Sequence, residues 1–194
     1  MSDPSLPSLR VSAPLRDVFT ERLELRRLRA ADLSELTRIF AVLEVWQYPY
    51  GRGLTPDETE TFLTGQIEAW ESLGFGLWLA SERASGRVVG FVGLSVPTFL
   101  PEILPAVEVG WRLHPEAWGR GLASEGARAA LREGFETLGL EEICSVPQAD
   151  NAASVRVCER IGMDFVRTVE IPANDRRGAL EARLYRSGRP AVGR

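Results

Sequence analysis

Residues 107–135, VEVGWRLHPEAWGRGLASEGARAALREGF, hold the side chains and spacings with the most chemical content. The first part alternates as a strand does: Val107, Val109, Trp111 and Leu113 share one face, and Glu108, Gly110 and Arg112 share the other. His114, Pro115 and Glu116 end the strand. Gly119, Arg120, Gly121, Leu122 and Ala123 then lead into a helix whose inner face is small, with Ala123, Ala127, Ala130 and Gly134. A strand, a glycine turn and a helix N-terminus together make an anion site. Glycines let the backbone approach a phosphate, while free N–H groups and the helix dipole point at it. A pyrophosphate suits such a site, although a plain strand-to-helix turn fits the two glycines as well. A dinucleotide fingerprint fits poorly, since Ser124 stands where Gly or Ala is wanted and a hairpin precedes the unit.

The surrounding elements must position this turn. Residues 20–28 alternate through Leu23 and Leu25 as a half-buried strand. Residues 30–45 place Leu33, Leu36, Ile39, Phe40 and Leu43 at helical spacing. Thr55, Pro56, Asp57 and Glu58 start a second helix that runs to Leu73 and stops at Gly74. Strands over 76–81 and 87–96 form a hairpin around Ala84, Ser85 and Gly86. A strand over 106–113, helices over 120–138 and 151–161, and strands over 142–147, 163–171 and 178–186 complete the order β-α-α-β-β-β-α-β-α-β-β. This predicts one α/β domain over 17–187 with a mixed sheet. Residues 1–16 read as a mobile tail or a strap across the surface, and 188–194 as a second tail.

Composition excludes other chemistries. All 23 basic residues of the 194 are Arg, against 27 acidic ones, for a net charge of -4. An acidic balance disfavours a nucleic-acid partner. Without Lys there is no Walker A loop, Schiff base or catalytic Lys. One His (His114) and two Cys (Cys144 and Cys158) do not supply a zinc quartet or a disulfide scaffold, so no metal is expected. No run reaches the ~18 apolar residues of a membrane span and the N-terminus has no h-region, which points to a cytoplasmic protein.

The run Glu108-x-Gly-Trp-x-Leu-His-Pro-Glu-Ala-Trp-Gly-Arg-Gly-Leu-Ala-Ser-Glu, followed by Asn151-Ala-Ala-Ser154 and Ile161-Gly162-Met163, resembles the GNAT acyl-CoA-dependent N-acetyltransferases. More narrowly, it is similar to their RimJ/RimL-like branch, named for enzymes that acetylate the N-termini of ribosomal proteins. The likeness covers nearly the whole chain. It implies the GNAT fold, a mixed, mostly antiparallel sheet splayed between its fourth and fifth strands, with acetyl-CoA in the gap. It also implies direct acetyl transfer to a primary amine, such as a protein N-terminus or a small antibiotic or polyamine. A non-catalytic acyl-CoA sensor is the alternative outside enzymes, and a monomer or a homodimer are both compatible.

Carried over by residue, the resemblance gives the backbone of Trp118, Gly119, Arg120, Gly121, Leu122 and Ala123, with Ser124 behind it, to the CoA pyrophosphate. Trp118 stands where the family usually has Gln or Arg. Arg120 and Arg156 are the nearest side chains for CoA phosphates. The main chain of Val109, Gly110, Trp111 and Leu113 would pair with the pantetheine arm, and an N–H near Val109 or Gly110 would hold the oxyanion. The attacking amine must lose a proton, and Glu108 is the candidate base; a solvent-facing strand residue or an Arg partner is its bland alternative. The family's Tyr acid is replaced by Cys158, which leaves Ser154 to protonate the thiolate or simply to cap its helix. Asn151 is both an N-cap by type and a CoA or substrate contact by resemblance. Trp46, Tyr48 and Tyr50 fall in a segment that walls the acceptor pocket in similar proteins, and aromatics there serve equally as core plugs. His114 is a weak candidate base, and the apolar loop over 97–105 could cover the cleft or meet another copy.

Overall fold

The computed structural model describes residues 12–190. Residues 1–11 and 191–194, which take in most of the two expected tails, lie outside the described residues. The strands are β1 (Val18–Phe19), β2 (Leu23–Arg27), β3 (Leu77–Glu82), β4 (Val88–Ser95), β5 (Glu108–Leu113), β6 (Glu142–Ser145), β7 (Asp164–Ile171) and β8 (Leu180–Gly188). The helices are α1 (Leu33–Phe40), α2 (Leu43–Tyr50), α3 (Pro56–Leu73), α4 (Leu122–Glu136) and α5 (Ala152–Arg160). All strands join one sheet in the order β1-β2-β3-β4-β5-β6-β8-β7. Every neighbouring pair is antiparallel except β5 and β6.

That parallel pair is where the sheet parts, between the strands that the sequence ranks fourth and fifth. β5 stays in register with β4 from Glu108 to Leu113, but it meets β6 only at Glu108 opposite Cys144. The Cys144 N–H donates to the Val107 carbonyl at 2.9 Å, and beyond it the strands diverge. The small face of α4 sets how closely the helix lies on the sheet beside this gap. A Cβ on Gly126 would sit 3.1 Å from Val92, and one on Gly134 would sit 2.5 Å from Ile143. The main core joins Leu122, Ala127 and Ala130 of α4 to Trp78, Val92 and Val109 of the sheet. A second cluster under α1–α3 centres on Phe40, Trp46 and Phe91.

Local signals explain most boundaries. The α3 start is a capping box in which Thr55 Oγ1 accepts from the Glu58 N–H and the Glu58 carboxylate accepts from the Thr55 N–H, and Gly74 ends the helix at φ 74°. The helix expected over 30–45 is interrupted. A 3-10 turn occupies Ala30–Asp32, Val42 is extended between α1 and α2, and the Leu54 N–H takes the Phe40 carbonyl at 2.8 Å. Apolar spacing continues across the break because both short helices face the same cluster, so periodicity reads through it. Residues 12–16 lie against the body as a strap: Leu15 is fully buried, its N–H donates to the Gly74 carbonyl, and the Trp78 indole donates to the Arg16 carbonyl. At the other end β8 runs on to Gly188, and the Arg189 N–H bonds the Glu141 carbonyl. Among the described residues no helix is long and apolar enough to cross a membrane.

Candidate active site

The opening between β5 and β6 leaves one backbone edge of β5 without a strand partner. Val107 and Val109 turn their carbonyls toward β6, where they accept from the Cys144 N–H and from Ser145 Oγ at 3.0 Å. By strand alternation the N–H and C=O of Trp111 face the same gap, whereas those of Gly110 face β4. The Leu113 carbonyl accepts from the Trp118 indole at 2.7 Å, which closes the far end of that edge.

Glu108 sits at the apex of the splay. Its Oε1 accepts from the Val146 N–H at 3.1 Å, taking the place of the next rung of the β5–β6 ladder. The residue is half-buried, and no cation pairs with it among the described residues. Burial pushes its carboxyl up to about 7, against the pull of the Val146 N–H toward the ionised form. A carboxyl that titrates there can accept a proton near neutral pH.

The turn into α4 is the candidate cradle. Gly119 and Gly121 adopt φ of 70° and 79°, a region other residues rarely enter, and Gly121 is the N-cap of α4. Ser124 is buried and its Oγ has no partner. The loop is tied down from two sides. Arg120 donates two hydrogen bonds to Glu82, at 2.8 and 3.0 Å, so its guanidinium is turned away and only its backbone remains for the cradle. Arg22 Nη1 donates to the Arg120 carbonyl at 2.8 Å, while its Nε and backbone N–H bond the Glu125 carboxylate, which also accepts from Thr20. No spacing in the sequence announces this clamp, because Arg22 and Glu125 lie 103 residues apart.

A cavity of about 560 Å³ opens over this turn. Trp111, Arg112 and Leu113 of β5 line it together with Trp118, Gly119, Gly121, Leu122, Ala123 and Ser124. Asn151, Ser154 and Arg156 close the α5 side, and Glu44, Gln47 and Tyr48 close the α2 side. The fold thus brings the candidate cradle, Asn151, Ser154 and Tyr48 around one space. Asn151 caps α5 by accepting from the Ser154 N–H at 3.1 Å.

Other candidates lie elsewhere. Glu108, Val109 and Gly110 stand next to the cavity wall in β5 without lining it. Trp46 is buried in the second core cluster and Tyr50 stacks on it, so neither ring lines the cavity. His114 Nδ1 accepts from the Glu116 N–H at 3.4 Å, a turn contact. Cys158 is fully buried and its thiol is pushed up to about 12; burial raises the Cys144 thiol as well. The loop over 97–105 packs Leu100 against β7 and β8, away from the cavity. The sequence reading passed over Arg112, although it shares a strand face with Glu108. Its guanidinium carbon lies 3.9 Å from the Trp46 ring centroid and its Nη1 donates to the carbonyls of Val45 and Tyr48.

Comparison with known proteins points to one family. The family model described as "Acetyltransferase (GNAT) domain" matches residues 22–164. The Bacillus subtilis protein YkkB is 29% identical over 153 residues, covering 78% of this chain and 87% of its own. The FsC-acetyl coenzyme A-N(2)-transacetylase of Aspergillus fumigatus is 37% identical over 124 residues, 61% of this chain and 52% of that longer protein. Among solved structures, the ribosomal-protein-S5-alanine acetyltransferase of Vibrio fischeri shares the fold with a TM-score of 0.71 at 15% identity, over 92% of this chain and 99% of that one. The fold and these likenesses make the chain an N-acetyltransferase that belongs to the GNAT family.

Proposed function

We propose that the protein transfers an acetyl group from acetyl-CoA directly to a primary amine, with Glu108 receiving the amine proton and a protein N-terminal α-amino group as the acceptor. The observation that carries this is the arrangement at the splay: a proton-accepting carboxyl at the apex, a free backbone edge beside it, and a candidate anion cradle in the cavity that Trp111 of this edge lines. The α4 N-terminus, with Gly119, Gly121 and Ser124, receives the pyrophosphate through main-chain N–H groups, and Ser124 Oγ is a spare donor there. The N–H and C=O of Trp111 pair with the pantetheine amides. Arg156, exposed on the cavity wall, reaches toward a phosphate.

In the transfer the amine nitrogen forms a bond to the thioester carbonyl carbon as the C–S bond breaks. Glu108, ionised above about pH 7, takes the proton released by the nitrogen, directly or through a water. Ser154 donates to the departing thiolate, with Cys158 too deeply buried to do so. We place the protein in the RimJ/RimL-like branch and in the cytoplasm, as a monomer or homodimer with no nucleic-acid partner. A small-molecule amine is the second acceptor class.

The test is thiol release from acetyl-CoA with peptides bearing free N-termini, N-blocked Lys peptides and small amines in parallel. Turnover on free N-termini alone supports the first acceptor class, and turnover on small amines alone replaces it with the second. Binding of CoA without release on any acceptor favours a sensor, and no binding at all overturns the proposal.

A further inference from the structure

Arg112 is a half-buried cation on the cavity wall with no carboxylate partner among the described residues. Buried charges are normally paired, because an uncompensated one carries its full desolvation cost. Here burial holds the guanidinium down at about 10, below its usual range. Nη1 is engaged by two carbonyls, of Val45 and Tyr48, which pin α2 to β5. Nε is buried and has no acceptor. The Trp46 indole N–H, in the ring stacked against this guanidinium, is buried without an acceptor too. Two donors of this stacked pair therefore have no acceptor among the described residues.

The same strand face supplies the second half of the pattern. Glu108, Gly110 and Arg112 follow one another on it, and a Cβ built on Gly110 would meet nothing within 4 Å. A carboxylate and a guanidinium thus flank an open slot, with Cα atoms about 13 Å apart by strand rise. We infer that the acceptor is an amine that also carries a carboxylate several bonds away, its amine end toward Glu108 and its carboxylate on Arg112. Nη1 is taken and Nε is closed off, which leaves Nη2 to donate a charge-assisted hydrogen bond to that carboxylate.

This inference rests on the acetyltransferase proposal, and its test separates the two. Calorimetry with acetyl-CoA first establishes co-substrate binding, whose absence overturns the parent proposal. Initial rates are then measured on paired acceptors that differ only in charge, the tripeptide Ala-Ala-Ala against its C-terminal amide and the peptide Ala-Ala-Glu-amide against Ala-Ala-Gln-amide. At least one acid is expected to exceed its neutral partner in kcat/KM by about tenfold, mostly through KM. Arg112→Met should erase that ratio, and Arg112→Lys, which keeps charge without the planar fork, should keep part of it. The ratio within each variant is independent of how much of it is folded, so a loss of stability in Arg112→Met does not imitate the effect. Equal rates on acid and amide in the unaltered protein, an unchanged ratio in Arg112→Met, or no turnover of any pair with acetyl-CoA bound would overturn the assignment.

Discussion

Glu108 combines the proposed proton transfer and a folding cost in one carboxyl. Its folded form titrates near 7, so kcat/KM should rise as the pH passes through about 7 and level off above it. Glu108→Gln should flatten that limb and lower turnover by about a hundredfold at pH 8, as measured by initial rates over pH 5.5–9. The same shift bears on stability. The native state holds this proton more tightly than an unfolded chain titrating near 4.5, so the stabilisation is complete below about pH 4.5 and lost as the pH rises through 7. Glu108→Gln, whose amide oxygen still accepts from the Val146 N–H, should therefore unfold at higher urea at pH 8 by on the order of 2 kcal/mol and show little difference at pH 4.5. The sequence shows that Glu108 is an acid on one strand face. It does not show the Val146 N–H 38 residues away that holds the carboxyl at the splay.

At the level of elements, the cradle owes its shape to a clamp outside it. Arg22 neutralises Glu125 in the first turn of α4 and holds the Arg120 carbonyl back from the cavity. Removing Arg22 would leave an acid beside the proposed anion site and free the loop. Arg22→Ala should raise the KM for acetyl-CoA by about tenfold with kcat little changed, and adding Glu125→Gln should restore part of that loss. Steady-state rates at varied acetyl-CoA settle it; a double variant no better than Arg22→Ala would mean that the charge of Glu125 plays no part. Element type and order were legible wherever a cap or a glycine punctuates the pattern, as at Thr55, Gly74 and Gly121. The break after Phe40 was not, because its cause is the return of Leu54 to the Phe40 carbonyl rather than any local residue choice. The two residues of β1 are too few to show alternation.

For the whole molecule, the strap ties the chain's start to its centre. Leu15 is fully buried beside Trp70 and Phe75, and the Ser12 N–H bonds the Leu138 carbonyl just past α4. Leu15→Ala should cost roughly 2–5 kcal/mol, read as a lower urea midpoint with unchanged slope. The Pro- and Ser-rich composition around it spoke for a tail and a strap alike; only the long-range contacts of Leu15 distinguish them. The lack of Lys leaves Arg as the side-chain cation for the proposed phosphate contacts, beside main-chain N–H groups.

The parting of β5 from β6 gives the sheet an internal edge that its own chain never fills. A ligand arm with amides at strand-like spacing would act there as a missing rung, coupling two half-sheets that otherwise touch at one register pair. Binding should then stiffen the protein as well as load it. Amide hydrogen exchange at Trp111 should slow on adding CoA, and the melting temperature should climb with CoA concentration, by the equivalent of about 2.7 kcal/mol at a hundredfold excess over Kd. The enzyme between turnovers is in this sense a sheet waiting to be completed, and its co-substrate is for a moment part of its architecture.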